Sequence, residues 1–257
     1  MGVNDVLVHG AEPLYFLDYI GTGRVDPARI ERIVAGVAEG CRRAGAALVG
    51  GEISEMPDLY ASGEYDLVGF AVGVVEASRL VDGRGVRPGD IVLGLASAGI
   101  HANGLTLARR IVFDVLRLRV DAELPGTGRT VAEELLEPTR IYVRAVLRLL
   151  KEVDVHAMAH ITGGGLPGNV PRVLPDGCRA MLRRGTWPVP PVFEALREAG
   201  RVTEAEMFRT FNMGIGYVVI VPAPAAERAV AVLTAAGETV GPIGEIVAGE
   251  RGVELAA

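Results

Sequence analysis

The run His160-Ile161-Thr162-Gly163-Gly164-Gly165-Leu166-Pro167-Gly168-Asn169-Val170-Pro171-Arg172 places three consecutive glycines between an imidazole and a hydroxyl on one side and an Asn and an Arg on the other. Glycines without Cβ atoms leave backbone N–H groups free to curl around an anion. The flanking side chains supply what is needed to hold a phosphate and polarise a group beside it. A flexible glycine-rich turn is the competing reading. The rest of the chain decides between the two.

The chain has 257 residues, 49% hydrophobic and 23% charged, which suits one large or two medium globular domains. No apolar stretch has the length and purity to cross a bilayer, and no signal peptide pattern opens the chain, so a cytoplasmic location is expected. Cys41 and Cys178 are too few for a disulfide framework or a zinc site and are expected to be small buried hydrophobes. A net charge of −6 excludes a broad nucleic-acid surface, so a phosphate ligand must be held locally. Lys151 is the only lysine, and no G-x-x-x-x-G-K-[ST] motif is present, which excludes a P-loop.

Outward from the glycine run, the pattern predicts a helical start and then an apolar, turn-containing stretch over residues 1–22. Asp26-Pro27 reads as a helix start, with Ile30, Ile33, Val34, Val37 and Cys41 at helical spacing and Gly45 as its end. Short strands are expected at Ala46–Val49, before Gly50-Gly51, and at Tyr65–Val75. Asp82-Gly83 and Arg87-Pro88-Gly89-Asp90 are turn signals, which put a domain boundary near residues 78–86 and divide the chain into 1–80 and 81–257. Beyond it come strands at Ile91–Ala96 and Ile215–Val221, closing strands over Thr239–Val253, and a surface loop at 119–130. Helices are expected at Leu105–Leu118, Pro138–Lys151, near Pro191 and at Ala225–Ala236. This mixture predicts an α/β or α+β second domain.

Five segments set polar residues in loops or at strand ends. They are Val3-Asn4-Asp5; Val49-Gly50-Gly51-Glu52; Ser97-Ala98-Gly99-Ile100-His101-Ala102-Asn103-Gly104; the run at His160; and Phe211-Asn212-Met213-Gly214. Asp5 and Glu52 are hard oxygen ligands of the kind Mg²⁺ takes when it bridges nucleotide phosphates. His101 and His160 are each able to donate to an oxygen or to move a proton. Arg140, behind a capping Thr139, is placed to face a ligand.

Taken together and in this order, the segments resemble the phosphoribosylformylglycinamidine cyclo-ligase (aminoimidazole ribonucleotide synthetase) family. The resemblance is carried by Val3-Asn4-Asp5, His9-Gly10-Ala11-Glu12-Pro13-Leu14, Gly50-Gly51-Glu52 with Glu55-Met56-Pro57, and His101 with Asn103-Gly104. It continues through Glu137-Pro138-Thr139-Arg140-Ile141-Tyr142-Val143, His160 to Gly165, and Arg209-Thr210-Phe211-Asn212. It implies a two-domain α+β / α/β synthetase fold whose C-terminal α/β domain has a mixed sheet flanked by helices. It also implies a homodimer in which the N-terminal strands of two subunits close a barrel. The implied reaction spends ATP, with Mg²⁺, to activate the formamide oxygen of formylglycinamidine ribonucleotide and close an imidazole ring. By the same resemblance Asp5 and Glu52 are the metal candidates, and His160 and His101 act on the activated amide and phosphate. Thr162, Gly163, Gly164, Gly165, Asn103, Arg140 and Asn212 are the phosphate and substrate contacts.

One departure bears on activity. Family members carry a glycine-rich segment and an Asp-Gly-Val-Gly-Thr-Lys motif before the Val3-Asn4-Asp5 position, and this chain starts after both. The expectation is a truncated N-terminal domain and severely reduced turnover. The alternatives are a non-catalytic dimerising or phosphate-binding remnant and, more distantly, a small-molecule kinase of the thiamine-phosphate type.

Overall fold

In the computed structural model, which describes residues 1–256, the chain divides into two units. The first is Met1–Leu80 with Ile141–Leu147, and the second is Val81–Arg140 with Arg148–Ala257.

The first unit runs α1 (Gly2–Leu7), β1 (Glu12–Thr22), α2 (Pro27–Ala44), β2 (Ala47–Glu55) and β3 (Tyr65–Val74). Its sheet has the order β2-β1-β3, with β2 parallel and β3 antiparallel to β1. The turn-containing stretch expected before residue 22 is instead an 11-residue strand. Pro13 breaks its register with β3 rather than ending it. Helix α2 forms where the start signal put it: the Asp26 carboxylate accepts the N–H groups of Ala28 and Arg29, and Gly45 closes the helix at φ 79°. β2 is longer than expected and continues through Gly50-Gly51. Gly51 sits beside Asp18 of β1, whose carboxylate and carbonyl occupy the space a Cβ would need. The segment Ile141–Leu147 is held in this unit by the Tyr142 N–H, which donates to the buried Asn4 Oδ1 at 3.2 Å. Arg144 adds a bond from Nη2 to the Arg42 carbonyl.

The second unit contains β4 (Ile91–Ala96), α3 (Leu105–Arg109), α4 (Val131–Leu135), the end of α5 (Val143–Glu152) and β5 (Ala157–His160). It goes on through α6 (Gly165–Asn169), β6 (Cys178–Arg183), α7 (Pro191–Gly200), α8 (Glu204–Thr210), β7 (Ile215–Val221), α9 (Ala226–Ala235), β8 (Val240–Ala248) and β9 (Gly252–Ala256). Its sheet is mixed, in the order β5-β7-β4-β8-β6-β9, antiparallel except for the β6–β9 pair. β7 is buried along its whole length. Each of its Val and Ile side chains stabilises the fold by about 1.5–3 kcal/mol, so β7 anchors whatever its ends carry. Val192, Phe193 and Leu196 of α7 pack into the same core as Val218 and Ile220, with Met207 and Phe208 of α8.

Two expectations shift in this unit, and several elements have no expectation behind them. The helix expected over Leu105–Leu118 is α-helical only to Arg109 and widens into a π-helical segment, Arg110–Val115. The helix expected from Pro138 starts at Val143, so Thr139 caps nothing and Arg140 stands in irregular chain. α4, β5, α6, β6 and α8 have no counterpart among the elements expected from the sequence, β5 because its four residues are buried on both faces and carry no alternation.

Candidate functional site

β5, β7 and β4 are neighbours, with β7 antiparallel to the other two. Ala96 pairs with Ile215, and His160 with Tyr217. The chain therefore leaves β4, leaves β5 and enters β7 at one end of the sheet. The three glycine-bearing loops of the second unit, 97–104, 161–165 and 211–214, are gathered there.

The 97–104 loop is built around His101, which is 6% exposed and sits at φ 61°. Its Nε2 accepts the Ala98 N–H at 3.0 Å and the Arg140 N–H at 3.4 Å. A nitrogen that accepts carries no proton, so the ring proton is on Nδ1. Nδ1 is buried and has no partner among the described residues. Burial, the imidazole of His160 and the guanidinium of Arg140 push the His101 pKa down to about 3. His101 is thus neutral at physiological pH, and its free group is a donor. His160 ends β5, is 5% exposed, and lies with its ring 6.3 Å from that of Tyr217.

The triple glycine folds back on itself. Gly165 N–H donates to the Thr162 carbonyl at 3.0 Å, and Gly164 and Gly165 both take positive φ. At Gly165 a Cβ would overlap the Phe208 carbonyl, so only glycine fits. The buried Asn169 staples the loop: its Nδ2 donates to the carbonyls of Thr162, Gly163 and Gly165, and its Oδ1 accepts from the Thr162 hydroxyl at 3.2 Å. These carbonyls lie four to seven residues back along the chain. A Cβ at Gly163 would come within 3.5 Å of the Asn103 Nδ2, and the Asn103 Oδ1 is buried without a partner among the described residues.

Asn212 and Arg140 spend polar groups on the protein itself. Asn212 Nδ2 donates to the carbonyls of Gly99 and Ile100 at 2.8 and 3.0 Å, and Oδ1 accepts from Gly214 N–H at 2.8 Å. It clamps one loop to another. Arg140 pairs through Nε with Glu238 at 2.9 Å and donates from Nη2 to the Gly237 carbonyl at 3.1 Å. Burial raises the Glu238 pKa, and the Arg140 charge works against that rise.

In the first unit, Asp5 is exposed on α1, and Glu52 is exposed on β2 with Oε1 accepting the Ile53 N–H at 2.9 Å. Glu52 and Asp18 line one cavity of about 550 Å³, with Ile20, Val34 and Leu48 forming its apolar wall. Asp5 is not among its lining residues, and Asp18 lies outside the polar segments that the sequence singles out. No group of three or more His, Cys, Asp or Glu that could hold a metal occurs among the described residues. Asp18 pairs with Gly51 and Glu52 with Tyr19, so the Asp18 and Glu52 side chains leave opposite faces of the sheet and do not converge on one cation.

Comparison with known proteins places these features in a family. Residues 1–75 match the model of the AIR synthase related protein N-terminal domain, and residues 87–255 that of its C-terminal domain. The chain is 51% identical to the phosphoribosylformylglycinamidine cyclo-ligase of Citrifermentans bemidjiense, over 99% of this chain and 73% of that one. It is 54% identical to the protein of that name in Symbiobacterium thermophilum, over 98% of this chain and 72% of the relative. Among solved structures, thiamine-monophosphate kinase from Stenotrophomonas maltophilia shares the fold with a TM-score of 0.73 at 18% identity, covering 98% of this chain and 75% of that one. T. maritima PurL complexed with AMPPCP gives 0.65 at 18% identity, over 99% and 37%.

Proposed function

This chain belongs to the phosphoribosylformylglycinamidine cyclo-ligase family, and on that premise we propose how its residues serve the ATP-dependent closure of formylglycinamidine ribonucleotide to aminoimidazole ribonucleotide. The observation that supports the assignment of roles is the convergence of the 97–104, 161–165 and 211–214 loops at the shared end of β4, β5 and β7.

In the reaction the formamide oxygen attacks the terminal phosphoryl group of ATP, and ADP departs with the electron pair of the broken P–O bond. The amidine nitrogen then adds to the formyl carbon. Phosphate leaves with the C–O electron pair, a proton is lost from nitrogen, and the ring closes. Poor amide reactivity is overcome because the oxygen becomes a good leaving group only when phosphorylated.

The backbone of Gly163 and Gly164, shaped by Thr162, Gly165 and Asn169, is the proposed floor for phosphate. His160, at the lip of that floor, stabilises charge on the transferring group. Asn212 and Arg140 act by positioning: Asn212 fixes the carbonyl edge of the 97–104 loop, and Arg140 delivers its own N–H to His101. Mg²⁺, when bound, would neutralise phosphate charge; Glu52 on β2 and Asp5 on α1 are the proposed donors.

A second copy of this chain is the proposed partner. Val68, Phe70, Val72 and Val74 alternate along β3, Phe70 and Val74 being 59% and 55% exposed, and Val72 lies opposite the exposed Tyr15 of β1. An uncovered sheet face of this kind is an interaction surface by its chemistry. The unpaired Cys41 and Cys178 accord with a reducing, cytoplasmic setting, and no described helix is long and apolar enough to cross a membrane.

The test is incubation with ATP, Mg²⁺ and formylglycinamidine ribonucleotide, following ADP and aminoimidazole ribonucleotide together. Equal release of both is expected, and His160→Ala should lower turnover far more than stability. ADP release that ignores the ribonucleotide would overturn the assignment.

A further inference from the structure

We propose that His101 and Asn103 form a donor–acceptor pair that reads the formamide of the substrate, His101 giving its Nδ1–H to the formyl oxygen and Asn103 taking the formamide N–H at Oδ1. The inference rests on the cyclo-ligase reading above and assigns a recognition task inside it.

Two buried polar atoms on one loop, two residues apart, lack partners among the described residues: His101 Nδ1 and Asn103 Oδ1. An unmade hydrogen bond at a buried group is costly, and such orphans mark positions that a ligand completes. The protein spends considerable structure on keeping them so. Two backbone N–H groups, from Ala98 and Arg140, converge on His101 Nε2 and leave the proton on Nδ1. The backbone of His101 is held at φ 61°, in the left-handed region that few residues other than glycine adopt and that His, like Asn and Asp, enters more readily than most. Asn212 fixes the carbonyls of Gly99 and Ile100 immediately before it. The low pKa of His101 follows from the same burial and keeps the ring neutral.

This arrangement excludes two simpler roles. With Nε2 consumed by backbone N–H groups, His101 has no lone pair to accept a substrate proton, so it is not a general base. A site for phosphate alone would present donors only, since phosphate oxygens accept; the acceptor at Asn103 Oδ1 would repel them. A group that offers one acceptor and one N–H fits both orphans, and the substrate's formamide is such a group. The Asn103 amide nitrogen lies near Gly163 of the proposed phosphate floor, where a Cβ would come within 3.5 Å of it. The formyl oxygen would therefore be held next to the place where its phosphoryl group must arrive.

Binding of formylglycinamidine ribonucleotide and of its unformylated counterpart, each titrated calorimetrically into the full chain, tests the pair. The unaltered protein is expected to prefer the formylated compound. His101→Ala and Asn103→Leu should each reduce that preference by between about 5- and 100-fold, the range for one lost buried hydrogen bond. Asn103→Asp, which keeps the acceptor, should retain most of it. A preference unchanged in the Ala and Leu variants, or lost equally in the Asp variant, overturns the pair. Equal binding of both compounds by the unaltered protein also overturns the pair while leaving the cyclo-ligase reading intact; binding of neither overturns both. Because variants at a buried loop risk misfolding, the ¹⁵N shifts of the His101 ring in the unaltered protein give a second measurement. A protonated Nδ1 with an unprotonated Nε2 is expected, and the opposite tautomer refutes the proposal.

Discussion

Acidification should destabilise the second unit through His101 by an amount that the site geometry sets. In the folded chain the His101 pKa is held down to about 3, whereas an unfolded histidine titrates near 6.5. Between those values the unfolded state binds the extra proton, so stability rises with pH across that window and is lost as pH falls from about 6.5 towards 3. At pH 5 the unfolded imidazole is almost fully charged and the folded one almost fully neutral. Relative to pH 7 this costs about 2 kcal/mol. The perturbation is a shift from pH 7 to pH 5 in the unaltered protein and in His101→Asn, a residue that accepts a positive φ. The replacement forfeits the bond to the Ala98 N–H at both pH values, so it should start less stable and fall less. Urea unfolding followed by fluorescence reads the correct unit. Trp187 is the only tryptophan and is buried in the second unit, its Nε1–H bonded to the Met213 carbonyl at 2.9 Å. Equal losses of stability in the two proteins between pH 7 and pH 5 would show that His101 is protonated or exposed when folded, and would refute the account of the loop.

Two other perturbations probe the frame. Gly165→Ala places a Cβ on the Phe208 carbonyl at a φ of 58°; a loss of about 2 kcal/mol or more is expected in thermal unfolding, and an unchanged melting temperature would mean the loop is looser than described. Phe70→Asp puts a charge in the middle of the uncovered face of β3; sedimentation should show the unaltered protein as a dimer and the variant as a monomer, and the same mass for both would remove that face from the interface.

What the sequence disclosed follows from how local each signal is. Helix α2 was legible because its cap, its first proline and its closing glycine lie within its own span and work through bonds no more than a few residues long. β7 was legible as a run of Val and Ile between a glycine and a proline. β1 reads in the sequence as a turn-containing stretch because Pro13 is a turn residue, although the sheet tolerates it at a register shift. The site shows the same division more sharply. The glycine-rich loops marked the right places, but composition cannot tell a polar side chain that the fold consumes from one it leaves over. Asn212 spends its amide on carbonyls 113 and 112 residues away, and the Nε2 of His101 is capped by an N–H 39 residues on. In sequence Asn103, Asn169 and Asn212 are alike, an asparagine close to glycine. In three dimensions two of them hold loops together and one keeps a buried acceptor open. The atoms left without partners, rather than the residue types present, therefore define where this chain would meet its substrate.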